Sequence, residues 1–156
     1  MFQNHQILIA YYSHSGNTHK IAQRIKEIVG GELFRIEPVK SYPESYQEVL
    51  KVAKKEIGQN YKPPLKNKVK NIDKFDIIYI GSPNWYSTIA PPVTSFLSAH
   101  NFSGKKIIPF ISHGGGGKGL CIPNLKKMVP NAIILEGIVV YGSNVKSLNI
   151  KTVKIQ

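Results

Sequence analysis

Short apolar runs alternate along this chain with segments in which apolar residues recur every three or four positions. The runs are typical of buried strands, and the recurring spacing predicts amphipathic helices. Residues 7–12 form the first run, and within 18–29 the side chains of Ile21, Ile25 and Val29 share one helical face. By these criteria the strands are 7–12, 32–37, 75–81, 106–112 and 132–141, and the helices are 18–29, 44–58, a segment from Pro91 through Leu97, and 120–128.

Strands and helices follow one another in strict alternation, and this order predicts a parallel sheet with helices on both faces. The strands are nearly continuous in apolar character, as expected when both faces of a sheet are covered. The 156 residues suit a single domain, 1–156, with a substantial core. We therefore expect an α/β fold in which the lysine-rich segment 59–74 is a long surface connection.

The turn between the first strand and the first helix carries the strongest chemical signal. Residues 12–18 read Tyr-Ser-His-Ser-Gly-Asn-Thr, and a helix start leaves backbone N–H groups unpaired at the positive end of its dipole. Hydroxyl and amide side chains there favour a phosphate site, with a plain N-cap as the ordinary alternative. The turn lacks the ending of a Walker loop and the glycines of a dinucleotide fingerprint. A single cap needs one such side chain and this turn has four, which are Ser13, Ser15, Asn17 and Thr18.

Two further loops belong at the same edge, because ligands of such sheets bind beyond the carboxyl ends of the strands. Residues 82–88, after the third strand, contain the only Trp of the chain, and residues 112–119, after the fourth, contain four consecutive glycines. This set suits a flat aromatic ligand with a phosphate tail: Trp85 or Tyr86 would stack on it, and glycine backbone would approach its polar edge. A core or interface pair of aromatics and a mobile glycine loop are the ordinary alternatives.

In this order the three loops resemble those of the short-chain flavodoxins, which are FMN-binding redox proteins. The resemblance extends from residue 6 to about residue 146, and it implies a doubly wound five-stranded parallel sheet of order 2-1-3-4-5, for which flavodoxin is the standard example. It further implies FMN as the cofactor and a role as a low-potential one-electron carrier between redox proteins. The motifs that carry it are Tyr-Ser-His-Ser-Gly-Asn-Thr at 12–18, Gly-Ser-Pro-Asn-Trp-Tyr at 81–86, Pro-Pro at 91–92, Phe-Leu at 96–97, Phe-Ser-Gly-Lys at 102–105 and Pro-Phe-Ile-Ser-His at 109–113.

The resemblance assigns the first loop to the FMN phosphate and the third to the pyrimidine edge of the flavin ring. It implies that the second loop flanks the ring, with Trp85 or Tyr86 stacking on it. It implies no acid, base or nucleophile, and the histidine spacing predicts no metal site. The implied FMN-binding residues are Ser13, His14, Ser15, Gly16, Asn17, Thr18, Ser82, Pro83, Asn84, Trp85, Tyr86, Ser87, Ser112, His113, Gly114, Gly115, Gly116 and Gly117.

Two departures from the family pattern are local. Ser87 stands near a position where relatives often have a glycine whose peptide turns over as the flavin is reduced, so we expect this motion to be hindered. Residues 143–156 are rich in β-branched side chains and lack a helical face, so the last helix of the fold is expected to be truncated or replaced. That change would leave apolar sheet surface that a partner chain could cover, and we expect a monomer or a weak homodimer.

The third departure is the charge balance, with 21 Lys+Arg against 9 Asp+Glu and a net charge of +12. The basic residues are almost all lysines and are scattered, a pattern that favours solvation and acidic redox protein partners over specific nucleic-acid binding. Negative charge beside a flavin disfavours its full reduction, so this chain is expected to have a less negative potential for that step than acidic relatives. A single cysteine, no signal-peptide pattern and no membrane-spanning run favour the cytoplasm.

Two other functions remain open from the sequence. One is a flavin enzyme of the same fold, such as an NAD(P)H-dependent reductase of quinones or other small molecules. The other is an interaction protein that keeps the scaffold without binding flavin. Hydrolysis is disfavoured, because Ser112 and His113 are adjacent in sequence and have no evident carboxylate to orient the histidine.

Overall fold

The structure, a computed structural model, describes residues 6–154. Two one-turn 3₁₀ segments, Ile72–Lys74 and Val145–Ser147, lie between the main elements. The strands are β1 (Ile7–Tyr11), β2 (Glu32–Arg35), β3 (Ile77–Trp85), β4 (Thr88–Ile89), β5 (Lys106–His113), β6 (Ile133–Ile134) and β7 (Ile138–Tyr141). The helices are α1 (Asn17–Val29), α2 (Tyr46–Gly58), α3 (Pro91–Ala99), α4 (Cys121–Met128) and α5 (Ile150–Val153).

The sheet runs in the order β2-β1-β3-β5-β6, and β7 pairs with β5 farther along the same edge. All of these pairings are parallel, so the predicted five-stranded order 2-1-3-4-5 is confirmed with β6 and β7 sharing the fifth position. The carboxyl ends of β1, β3 and β5 therefore meet at one edge of the sheet.

The hydrophobic pattern predicts the fifth strand as one segment, 132–141, and the structure divides it. β6 pairs with β5 at Lys106 and Ile107, and β7 pairs with β5 from Phe110 onward. Pro109, which has no N–H to donate, lies in the gap between the two pairings. Gly137 packs tightly beside this gap: a Cβ added to it would lie 2.5 Å from Ile122 Cδ1 and 3.3 Å from the Pro109 carbonyl oxygen. The break falls between two apolar runs, 133–135 and 138–140, which Glu136 and Gly137 separate in the sequence.

Two apolar layers cover the two faces of the sheet. The layer under α1 includes Ile21 and Ile25 from the helix and Ile9 and Tyr79 from the strands. The layer on the other face is contributed by α2, α3 and α4, with Phe96 of α3 among its fully buried side chains. Both faces of β1 and β3 are consequently dry, and these strands hold their terminal loops on a rigid base.

The second loop contains regular structure that the sequence pattern does not predict. β3 continues through Trp85 and folds back on the short strand β4, with Trp85 opposite Thr88. The two residues of the turn, Tyr86 and Ser87, have φ values of +53° and +66°. Positive φ at both central residues is the conformation that matches the twist of a two-residue hairpin. The loop 82–88 is therefore a tight hairpin at the edge of the sheet.

The C-terminal segment agrees with the expectation of a shortened last helix. α5 is a single turn, closed by reciprocal hydrogen bonds between Asn149 and Thr152. The buried Tyr79 hydroxyl donates a 2.7 Å hydrogen bond to the Val153 carbonyl, which attaches this turn to the centre of the sheet. A cleft of about 680 Å³ lies beside it, between the β6–β7 break and α5. Within 6–154, no helix has the length and apolar character needed to cross a membrane.

Candidate functional site

The first loop leads into a helix whose N-terminus has no side-chain cap. α1 begins at Asn17, and the residue before it, Gly16, has φ +99°. The Ser13 hydroxyl instead accepts a 3.1 Å hydrogen bond from the Gly16 N–H, so it holds the turn rather than the helix end. The first amides of α1 and the positive end of its dipole thus remain available to an anion. Ser15 is exposed and Asn17 half-buried at this place.

A pair of buried hydroxyls connects the first loop with the third. The Thr18 and Ser112 hydroxyl oxygens are 2.8 Å apart, and both residues are buried. Thr18 is in the first turn of α1, and Ser112 is near the end of β5. The pair confirms that these two loops share one edge. It also gives Ser112 a structural partner, so its hydroxyl is not paired with the adjacent His113.

The only tryptophan lies inside an aromatic cluster. Trp85 is 8% exposed, and its ring contacts those of Tyr12 and Tyr42 edge-on at centroid distances of 5.6 and 5.1 Å. His14 approaches the same ring at 6.1 Å, and its Nε2 donates a 2.7 Å hydrogen bond to the Pro43 carbonyl. The first and second loops are therefore joined through rings. Tyr86, by contrast, is 49% exposed, and its hydroxyl donates to the Leu50 carbonyl in α2.

The sequence pattern does not indicate Tyr42 as a residue of the site. It reaches Trp85 from the loop after β2, and its hydroxyl donates a hydrogen bond to the Glu56 carboxylate. Burial and the Glu56 carboxylate both raise the pKa of Tyr42, and burial raises the pKa of Tyr12. Both hydroxyls therefore stay protonated at neutral pH. The available signal was an aromatic residue beside Pro43 in a loop that leads away from the same sheet edge.

The hairpin is fastened from both sides. The Ser82 hydroxyl accepts from the Ala90 N–H at 2.9 Å and donates to the Pro83 carbonyl at 2.8 Å. The carbonyl and hydroxyl of Ser87 both accept from the Leu120 N–H, at 2.7 and 3.1 Å. These bonds hold Ser87 in its left-handed conformation against the start of α4.

The glycine loop is tied to the hairpin by one side chain. Asn84 Nδ2 donates a 2.9 Å hydrogen bond to the Gly117 carbonyl, and the Gly115 N–H donates to His113 Nδ1 at 3.0 Å. Gly115 and Gly117 have φ values of +134° and +68°, which side chains rarely adopt. Gly114 and Gly116 are exposed beside them. Backbone, not side chains, therefore lines this part of the edge.

The chemical character of the edge suits binding better than acid–base work. His14 Nε2 is hydrogen-bonded to the Pro43 carbonyl, and His113 Nδ1 is hydrogen-bonded to the Gly115 N–H. The Ser112 hydroxyl is hydrogen-bonded to the Thr18 hydroxyl. In the described part of the chain, no three His, Cys, Asp or Glu side chains are grouped as metal ligands. Cys121 lies at the start of α4, and burial raises the pKa of its thiol to about 12. Neutral hydroxyl, amide and glycine groups are left to face a ligand.

A cationic residue borders the first loop on the β2 side. Arg35 Nη2 donates to the Ser13 carbonyl at 3.4 Å, and the guanidinium carbon lies 6.0 Å from the centre of the Tyr11 ring. The Tyr11 hydroxyl is 2.5 Å from Nδ1 of His19 in α1. Burial raises the pKa of Tyr11, and the nearby Arg35 charge opposes that change. The sequence pattern does not single out Arg35.

Comparison with known proteins agrees with this arrangement. A family model described as Flavodoxin matches residues 6–154. Among solved structures, a protein of Bacteroides eggerthii assigned as a flavoprotein is 30% identical, with 87% of this chain and 88% of that chain covered and a TM-score of 0.81. A second such protein, from Bacteroides uniformis, is 25% identical, with 93% and 96% covered and a TM-score of 0.84.

A third solved structure, the flavoprotein of Lactobacillus acidophilus in complex with FMN, shares the fold at 23% identity, with 96% of this chain and 99% of that chain covered and a TM-score of 0.78. No curated protein sequence matches the chain. The family model covers all three loops, 12–18, 82–88 and 112–119. This chain therefore belongs to the flavodoxin family.

Proposed function

We propose that this protein carries electrons one at a time between redox proteins, with FMN held at the carboxyl edge of its sheet. One observation supports this most strongly: the three loops are bonded to one another. Thr18 meets Ser112, and Asn84 meets the Gly117 carbonyl, so a ligand at any one loop is next to the other two.

The residues present fit the parts of FMN. The uncapped start of α1, with the left-handed Gly16 before it, suits the phosphate, and no atom lies within 4 Å of a Cβ added at Gly16. The exposed ring of Tyr86 offers a face on which the flavin would stack. Trp85 packs inside its aromatic cluster and would support the flavin site from behind. Backbone of Gly114 to Gly117 suits the polar edge of the flavin.

When bound, FMN would supply the electron-transfer chemistry itself. The chain would bind and orient the cofactor and shield one side of it from water. Hydrogen bonds at Ser87 would keep the hairpin in a single conformation while the cofactor changes oxidation state. No side chain of the edge has to give up or accept a proton for this role.

We further propose that the partners are acidic redox proteins. The support is the net charge of +12, together with Lys118 in the glycine loop and exposed Leu120 beside it. Charge of one sign around a site speeds the approach of oppositely charged partners, and the effect decreases as salt increases. Electron transfer to an acidic carrier protein should therefore slow with added salt more than transfer to a neutral chemical oxidant.

The test is an absorption spectrum of the protein with FMN during stepwise anaerobic reduction. We expect bound flavin and a distinct spectrum after one electron equivalent. Rapid oxidation of NAD(P)H with a quinone as acceptor would contradict the carrier role and support a reductase. Absence of flavin binding would contradict both and leave an interaction protein.

A charge variant tests the phosphate position separately. Ser15→Asp puts a carboxylate at the start of α1, where it should be tolerated by the helix but should exclude a phosphate. We expect loss of FMN binding with unfolding free energy preserved. Ser45→Asp is the matched control, because Ser45 is the N-cap residue of α2 and lies outside the three loops. Equal FMN affinity in both variants would contradict a phosphate at α1.

A further inference from the structure

The phosphate loop has a charged neighbour that its motif does not include. Arg35 is the last residue of β2 and is in register with Tyr11 of β1, so it stands at the same edge as the loop. Its Nη2 atom donates to the Ser13 carbonyl at 3.4 Å, and the Ser13 hydroxyl in turn accepts from the Gly16 N–H at 3.1 Å. The guanidinium is thus connected to the turn through one residue.

The positive charge of Arg35 is directed at this loop rather than at an acidic partner. Among the described residues, the guanidinium contacts the Ser13 carbonyl and the side chain of Tyr11, and it opposes the rise that burial causes in the pKa of Tyr11. The acids nearest in sequence are engaged by lysines: Glu37 lies 3.8 Å from Lys66, and Glu32 lies 3.2 Å from Lys74. The Arg35 guanidinium is therefore not the ion-pair partner of Glu37 or Glu32.

Apart from Arg35, the loop offers a charged ligand the partial positive charge at the start of α1. Besides the His14 ring, whose Nε2 is bonded to the Pro43 carbonyl, its own groups are hydroxyls, an amide, a glycine and backbone N–H donors, which bind oxygen atoms of many kinds. A phosphate monoester has a charge of about −1.5 to −2 at neutral pH. Arginine remains protonated and offers planar N–H donors that suit phosphate oxygens.

We infer that Arg35 determines the specificity of the loop for a flavin with a phosphate dianion over the same flavin without one. The inference rests on the proposed binding of FMN and adds a residue outside the phosphate motif. Arg35 acts here as a positioning and charge-supplying residue through Ser13. The two ligands that separate this role from general flavin binding are FMN and riboflavin, which differ only in the phosphate.

The experiment compares dissociation constants of FMN and riboflavin for flavin-free protein, measured by quenching of flavin fluorescence. In Arg35→Gln we expect FMN affinity to fall about 5- to 10-fold, with riboflavin affinity unchanged within about 2-fold. Arg35→Lys keeps the charge and should retain most of the preference. Added salt should lower the preference of the wild-type protein toward that of Arg35→Gln.

The chain provides a matched control in its only other arginine. Arg24 lies on α1 and pairs with Glu27 at 3.3 Å, so Arg24→Gln removes the same charge away from the loop and should leave the preference unchanged. Equal weakening of FMN and riboflavin in Arg35→Gln would indicate a purely structural role and overturn the inference, as would an unchanged preference. Failure of the wild-type protein to bind either flavin would overturn the proposed function as well.

Discussion

The hydroxyl of Thr18 lies 2.8 Å from the hydroxyl of Ser112, although 94 positions separate the two residues in sequence. Each side chain is buried, so neither can exchange this partner for water. The contact fastens the first turn of α1 to the end of β5. It thereby sets the spacing between the loop suited to a phosphate and the loop suited to the flavin edge.

Removing one of these hydroxyls should leave the other buried without a partner. We expect Ser112→Ala to lower the free energy of unfolding by about 1–3 kcal/mol and Thr18→Val to do the same. The double variant should lose less than the sum of the two, because neither orphaned hydroxyl remains. Urea unfolding measures all four proteins, with Ser98→Ala on the exposed side of α3 as control. Strict additivity would contradict the pairing.

Gly81 in β3 leaves room for the ring of Phe110 in the neighbouring strand β5. A Cβ added at Gly81 would lie 2.2 Å from two atoms of that ring, which is fully buried. Gly81→Ala should therefore destabilise the protein by about 1–3 kcal/mol, and Phe110→Leu should recover part of this loss in the Gly81→Ala background. Gly58→Ala, at a helix end with no atom within 4 Å, is the control in thermal or urea unfolding. Similar stabilities of Gly81→Ala and Gly58→Ala would refute the close contact.

Substitutions of Ser87 test whether the backbone of the hairpin turn is strained. Its φ of +66° is costly for a β-branched side chain, so Ser87→Val should lower the free energy of unfolding by about 1–2 kcal/mol. Ser87→Gly relieves the backbone but loses the hydroxyl bond to Leu120, so its net effect should stay within about 0.5 kcal/mol. Ser98→Val, on a helix surface, should cost only a few tenths. Equal changes in the free energy of unfolding for Ser87→Val and Ser98→Val would contradict a positive φ at residue 87.

The burial of Cys121 predicts that the free energy of unfolding decreases at alkaline pH. Burial raises the pKa of its thiol from the usual 9.0 to about 12, so the folded state favours the protonated form. The resulting stabilisation is complete below pH 9 and is lost as the pH rises from 9 toward 12, by about 1.4 kcal/mol at pH 10. Cys121→Ala should start from lower stability but decline less over this interval in urea unfolding. In addition, a thiol reagent at pH 8 should label the protein only on unfolding; rapid labelling of folded protein would contradict the burial.

Several features of the fold were predictable because their signals are local. Ile21, Ile25 and Val29 recur at helical spacing, and the structure has α1 at that place with these residues buried. The first strand and the long apolar stretch of β5 likewise have the pattern of buried strands. The cluster of hydroxyls before α1 was visible in the sequence for the same reason, since the turn and the helix start are neighbours in the chain.

Other features depend on residues that are far apart in the chain. The break between β6 and β7 arises where Pro109 and Gly137 meet, and neither residue alone predicts it. The hairpin turn at Tyr86 and Ser87 has no Asn-Gly or Asp-Gly signal, and bonds from Leu120 hold it. The sequence placed the aromatic pair in a loop, whereas Trp85 is enclosed by rings from Tyr12 and Tyr42.

The amino-acid sequence is sufficient to predict the alternation of strands and helices, the parallel sheet and the three loops at one edge, because periodicity and turn composition act over a few residues. Which groups of those loops are engaged, and which remain free for a ligand, depends on the three-dimensional fold. The fold pairs Thr18 with Ser112, directs Arg35 to the Ser13 carbonyl and buries Trp85. Partners of buried polar groups and rings are fixed by packing between distant segments, and no local pattern encodes that packing.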